Sequence, residues 1–255
     1  MFTAAVARKT EKAFRIYRDL GLRSLVLRLA RTLGRALGLS GAGEARWRAR
    51  KEAVDVAFDA EAGVSTGGIT HLYGLSIVGP NATSGVSHIA CDPDEFRAAL
   101  DALEADLTEH SFVDLGSGKG RALILAARYP FATIVGVEFA AELHAVATAN
   151  VAALPAADRA RISLVYEDAS RFAFPDGPLV VFLNNPFEEA VCREVARHLR
   201  ADVSAHPRPV RVVYLRPQHR AAWIDAGWSS VRDGTCFLIL EPCPAAALCK
   251  ATGVS

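Results

Sequence analysis

Two hydrophobic periods succeed one another along this chain. Leu22, Leu25, Val26, Leu29, Leu33 and Leu37 recur at helical spacing, with Arg28, Arg31 and Arg35 elsewhere on the wheel, which predicts an amphipathic helix. Ser40-Gly-Ala-Gly43 interrupts it, and a second helix is expected from Glu44 to Phe58. From Gly63 the texture changes. Thr66-Gly-Gly68, Tyr73-Gly74 and the run from Gly79 to Gly85 form a loop-like, glycine-rich segment that no simple helix can hold. Asp92-Pro93 then suits a helix start, cap and first turn, leading into Phe96, Leu100, Leu103 and Leu107.

Beyond His110 the pattern alternates between short apolar runs and helical stretches. Strands are predicted at Phe112 to Leu115, Thr133 to Glu138, Arg161 to Asp168, Leu179 to Asn184 and Val210 to Leu215. Helices are predicted after Arg121, from Phe187 to Leu199 and from Gln218 to Ala226. Trp228 to Arg232 and Thr235 to Leu240 flank Asp233-Gly234, a dipeptide suited to tight reversal, and read as a β-hairpin. The chain is therefore expected to be α/β, a Rossmann-like doubly wound sheet of about seven strands with a terminal antiparallel hairpin, preceded by a helical extension. Its expected organisation is a basic helical extension (1–57), a glycine-rich cover segment with a lead-in helix (58–110), a core (111–243) and a loose tail (244–255).

The chemistry concentrates in Asp114-Leu-Gly-Ser-Gly-Lys-Gly-Arg121. Glycines at 116, 118 and 120 let the backbone approach a ligand where a Cβ would collide, and the following helix start offers unpaired N–H groups. The dinucleotide pattern G-x-G-x-x-G wants glycine where Arg121 stands, and a P-loop wants Ser or Thr where Gly120 stands. About 20 residues on, Glu138 ends the second strand, where an acid can take both hydroxyls of a ribose.

This D-x-G-x-G-x-G pattern resembles the first motif of class I S-adenosylmethionine (SAM) methyltransferases. Glu138, Asp168-Ala169 and Asn184-Asn-Pro-Phe187 follow it in the family's order. The resemblance implies SAM as cofactor, with the backbone around Gly116, Ser117, Gly118 and Gly120 holding the methionine part and Asp114 anchoring the turn. It further implies that Glu138 takes the ribose, that Phe139 flanks the adenine, and that Asp168 with the Ala169 N–H reads its edge. Asn184-Asn-Pro-Phe187 resembles the acceptor loop of amino methyltransferases, with Asn185 in place of the first proline. There Asn184, a carbonyl in the Pro186 region and the Phe187 ring would orient a target nitrogen. A purely structural role is open beside this one: Asn184 ending the strand and Pro186 starting the helix. Over Phe58 to Pro242 the chain also looks like bacterial class I enzymes of unassigned substrate that share D-L-G-S-G with Dot1-like protein-lysine methyltransferases. Ser87-His88 stands where an aromatic residue is expected. His88 and His71 fall in the glycine-rich segment as candidate general bases, and Tyr73 as a candidate pocket wall.

Composition adjusts this picture in three places. The formal charge of +1 hides an asymmetry: residues 1–51 hold 13 Lys/Arg against three acids, a net +10, so the remainder carries −9. The basic arm is read as a helix packed on the body, as a surface for an acidic partner (nucleic acid, anionic lipid or protein), or as a targeting peptide. Five cysteines without C-x-x-C pairing or zinc spacing read as reduced thiols of a cytoplasmic protein that binds no metal. No apolar run reaches a membrane span. The expected function is methyl transfer from SAM to nitrogen, with oxygen second, on a protein side chain or small metabolite. Two alternatives are an aminopropyltransferase, which would want an acidic pocket where Asn184-Asn185 are neutral, and a non-catalytic binding module using the basic arm.

Overall fold

The structure, a computed structural model, describes residues 42–81 and 84–244. The helix expected at Leu22 to Leu37 and the tail beyond Pro244 lie outside them. The chain divides into two compact units, Met1–Lys51 and Glu52–Ser255. Helix α1 (Ala42–Ala62) runs through the boundary expected at residue 57.

Within the second unit the glycine-rich segment is mostly loop, with a two-residue antiparallel pair, β1 (Ile69–Thr70) and β2 (His88–Ile89). Helix α2 (Pro93–Asp101) starts as expected: the Asp92 side chain accepts from the Asp94 and Glu95 N–H groups, with Pro93 in the first turn. It stops before Leu103 and Leu107, because Glu104 adopts φ 48° and turns the chain. Both leucines are nevertheless buried.

The central sheet has the order β5-β4-β3-β6-β7-β9-β8, formed by β3 (Ser111–Leu115), β4 (Thr133–Glu138), β5 (Ile162–Tyr166), β6 (Leu179–Leu183), β7 (Val210–Leu215), β8 (Trp228–Asp233) and β9 (Phe237–Pro242). β3 to β7 pair in parallel, whereas β9 runs antiparallel to both β7 and β8. The expected seven-stranded sheet with its terminal hairpin is therefore present. One detail differs: Asp233 belongs to β8, and the reversal falls at residues 234–236, closed by the Gly234 N–H on the Phe237 carbonyl (2.9 Å). A register shift between Ser230 and Arg232 supplies the displacement, and Asp233 is held at the strand end by the Ser230 hydroxyl (2.8 Å) and by Arg220.

The central strands are apolar without alternation because both faces are covered. Along β6, Val180 and Phe182 join Phe96, Leu100 and Phe112 on one face. Helices α3 (Arg121–Ala126), α4 (Ala141–Ala152) and α5 (Ala156–Arg159) come before β6 in the chain and α6 (Glu189–Ala205) after it; Leu179, Val181 and Leu183 join the other face, with residues of α6 such as Val195 and Leu199. Chain order leaves β3 in two directions, through β4 to β5 on one side and back to β6 on the other. The carboxyl ends of β3 and β6 thus bound the crevice where ligands of open parallel sheets bind.

Candidate functional site

The glycine turn leaves β3 into that crevice and enters α3 (Arg121–Ala126). Gly116 has φ 82° and Gly118 φ 56°, backbone that residues with a Cβ rarely adopt. Close approach compounds this: a Cβ on Gly116 would lie 2.5 Å from Pro186 Cβ, and one on Gly118 would overlap the His88 ring. The turn is fixed from β4 by the Gly116 and Ser117 N–H groups, which donate to the Val137 carbonyl (2.9 and 3.0 Å). Glu138, buried at the end of β4, accepts from the Gly118 N–H (2.7 Å) and the Ala140 N–H (2.9 Å). Burial raises its pKa although those N–H groups oppose the shift.

Asp114 is buried beneath the turn, and desolvation with the neighbouring Glu138 charge pushes its carboxyl well above its ordinary value. The folded chain therefore holds a proton there that the unfolded chain releases, so stability falls as pH rises from about 3.9 toward the raised native pKa. Asp114→Asn should flatten the pH dependence of Tm across that window, which thermal unfolding at stepped pH would show.

A cleft of about 200 Å³ opens beside the turn. Asp114, Gly116, Ser117, Glu138 and Phe139 line it together with His88, Asn184, Asn185, Pro186, Phe187, Arg216 and Gln218. A second, narrow hollow is walled by Phe139, Val137, Ala169, Phe187 and the Asp168 carboxylate. Asp168 is buried and accepts from the Ser170 N–H (3.0 Å) and from both the N–H and the side-chain amide of Asn81 (3.2 and 3.3 Å). Gly120, at φ 86°, starts α3 and lines neither space.

The loop after β6 is built by pairing with the glycine-rich segment. The Val86 N–H donates to the Pro186 carbonyl (3.1 Å), the Glu188 N–H to the Ser84 carbonyl (3.0 Å), and Gly85 forms a bridge with Phe187. Helix α6 thus begins at Glu189, and Pro186 does not start it. Asn184 donates one amide N–H to the Ile89 carbonyl (2.9 Å), an orientation the acceptor-only partner fixes. Asn185 takes φ 51°, and its Oδ1 accepts from the Tyr214 hydroxyl (3.0 Å). His88 reaches the Thr66 carbonyl through Nε2 (3.5 Å). His71 and Tyr73 are not part of the cleft wall: both are exposed, and His71 Nδ1 meets Ser87 Oγ at 2.9 Å.

Arg121, which sequence reasoning used only to reject a dinucleotide motif, is 1% exposed and organises the cover segment. Its guanidinium pairs with Asp55 and with Asp59 (3.3 Å), donates to the Thr66 hydroxyl (2.7 Å) and lies 4.8 Å above the Phe58 ring. Asp59 accepts from the Thr66 hydroxyl and from the Thr66 and Gly67 N–H groups (2.9 and 2.8 Å). Burial works against ionisation of Asp59, but these bonds and Arg121 outweigh it and hold the carboxyl below its ordinary value. Asn150 adds a clasp, accepting from the Ser65 N–H (2.8 Å) and donating to the Ser65 and Lys119 carbonyls (3.1 and 2.9 Å). Arg121→Met would remove the guanidinium that bridges Asp55 and Asp59 at a buried position. Unfolding free energy should drop by about 3–5 kcal/mol, read as a lower denaturant midpoint.

The glycine cradle, the two buried acids at successive strand ends and the apolar walls between them fit SAM. Among the described residues no group of three or more His, Cys, Asp or Glu is placed to hold a metal. No helix among them is long and apolar enough to cross a membrane.

Residues 112–202 match the family model described as Methyltransferase domain. No curated protein matches the sequence significantly. Among solved structures, the glycopeptide N-methyltransferase MtfA with bound S-adenosylhomocysteine (SAH) has TM-score 0.51 and 14% identity, over 61% of this chain and 88% of its own. The pyocyanin biosynthetic protein PhzM has TM-score 0.46 and 17% identity, over 58% of this chain and 55% of its own. A SAM-dependent methyltransferase from Geobacter sulfurreducens, solved with SAH, has TM-score 0.43 and 17% identity, over 55% of this chain and 65% of its own. The first of these likenesses shows the fold. With the glycine turn and the acids ordered as above, residues 112–202 form a methyltransferase domain.

Proposed function

We propose that the protein transfers the SAM methyl group to a nitrogen acceptor, on a small metabolite or a protein side chain, that enters over the loop from Asn184 to Phe187. The observation that carries this reading is the fixed orientation of Asn184 in the cleft wall: one amide N–H is held by the Ile89 carbonyl, and its Oδ1 would accept an N–H and aim a nitrogen lone pair. SAM supplies an electrophilic sulfonium methyl, and the protein's task is alignment and proton removal. Glu138 would take the ribose hydroxyls, Asp168 and the Ala169 N–H the adenine edge, and the backbone around Gly116 to Gly118 the methionine part. Phe139 and Phe187 supply apolar walls. The Pro186 carbonyl, engaged by Val86, is a weaker candidate for a second acceptor contact than Asn184. His88, against the glycine turn, is placed to take a proton, as histidine titrates near neutral pH.

The test is transfer from isotope-labelled SAM followed by mass-spectrometric assignment of the methylated atom. A nitrogen-linked label is expected. An oxygen-linked label would retire the role given to Asn184 and favour His88 as base, and an N-aminopropyl product would replace methyl transfer altogether.

A further inference from the structure

The acceptor end of the cleft is walled by Asn184 and Asn185 after β6 and by Arg216 and Gln218 after β7. Among the described residues lining the cleft, the carboxylates are Asp114 and Glu138, both at the glycine turn. The charged side chain at the acceptor end is a cation. Arg216 is held there against its backbone preference: it takes φ 50°, a left-handed conformation rare for a residue with a long side chain, and its N–H donates to the Cys236 carbonyl (2.7 Å). Glu95 grips the guanidinium in a two-point contact, through Nε and Nη2 (2.9 and 3.0 Å), which fixes its plane without using Nη1. Glu95 is not in the cleft wall, and Asp92, the other acid whose charge reaches Arg216, caps α2. Arg216 thus lines the cleft, whereas neither Glu95 nor Asp92 does.

A protonated lysine or other ammonium entering here would be desolvated beside a fixed cation with no carboxylate at that end to receive it. An oxyanion would find a pre-oriented guanidinium at no further ordering cost. Resting on the reading that the acceptor enters over Asn184, we propose that the acceptor is a small molecule carrying an oxyanion, carboxylate or phosphate, near its methylated nitrogen, and that Arg216 is the residue that selects it.

Two arms test this. In the first, inorganic phosphate and acetate are titrated separately into the isotope-labelled protein while NMR follows the amides of Asn184 to Phe187 and Gln218. Saturable shifts are expected for one of the anions, which identifies the oxyanion. They should be lost in Arg216→Met and kept in Glu95→Gln, which removes the partner but leaves the guanidinium. No saturable response to either anion, or one that survives Arg216→Met, would overturn the proposal. In the second, labelled SAM is offered to separated metabolite and protein pools of a bacterial extract. A labelled metabolite with a carboxylate or phosphate is expected, with KM for it raised roughly 10- to 100-fold in Arg216→Met and SAM affinity unchanged. A labelled lysine side chain, or a product without an oxyanion, would overturn the proposal. A saturable, Arg216-dependent anion response without label in either pool would count against the methyltransferase reading and leave the oxyanion site standing.

Discussion

Gly118→Val should abolish SAM binding, with affinity falling by at least roughly 100-fold, or about 2.7 kcal/mol. Three effects converge on this position. A β-branched residue at φ 56° is strained wherever it sits. Its Cβ would overlap the His88 ring, whose displacement would break its contact with the Thr66 carbonyl. The Gly118 N–H would also shift from Glu138, so the acid assigned to the ribose would lose its orientation. Titration calorimetry reads the affinity, and a Tm measurement on the same sample separates a lost site from a lost fold. Retained micromolar binding by a folded variant would place the cofactor elsewhere.

Asn184→Ala should do the opposite. Turnover should fall by roughly 100-fold, because an interaction made chiefly with the reacting nitrogen is removed, while SAM affinity shifts little. Asn184 and Glu138 both line the cleft, but the fixed partner of Asn184 is the Ile89 carbonyl. Losing that bond should cost stability of about 1 kcal/mol, so single-turnover rates need to be measured well below the transition. Asn184→Asp is the informative companion: it keeps an acceptor oxygen but sets a carboxylate against the Ile89 carbonyl. A near wild-type rate for Asn184→Ala would remove the nitrogen-acceptor argument.

Much of this architecture was legible in the sequence because it is local. Buried parallel strands announce themselves as continuous apolar runs, so β4 and β7 fall at the residues expected, and Asp92-Pro93 starts a helix through bonds spanning two or three residues. The glycine turn was equally legible, since its backbone demand is written in one short motif. The contacts that close the site were not. Arg121 meets Asp55 and Asp59 across more than 60 positions, and Asp55 and Asp59, one turn apart on a helix, read alone as a solvated acidic face. Asn81 on Asp168 and Arg216 on Glu95 join still more distant segments. The useful signal would have been Arg121 itself: an arginine in the first turn of a buried helix works against the helix dipole and needs a specific partner. The shifted turn of the hairpin has a similar origin. Asp-Gly favours a tight turn in isolation, but Asp233 is recruited into the strand by Ser230 and Arg220.

The central claim, that a class I cofactor site lies at the carboxyl ends of β3, β4 and β6, is tested most directly by titrating SAM and NAD into the wild-type protein and into Glu138→Ala by calorimetry. The account predicts one SAM bound per chain at micromolar affinity, no heat from NAD, and a roughly 10- to 100-fold weaker SAM affinity in the variant, as expected for losing a charge-assisted contact. NAD binding without SAM binding, or SAM binding indifferent to Glu138, would contradict it.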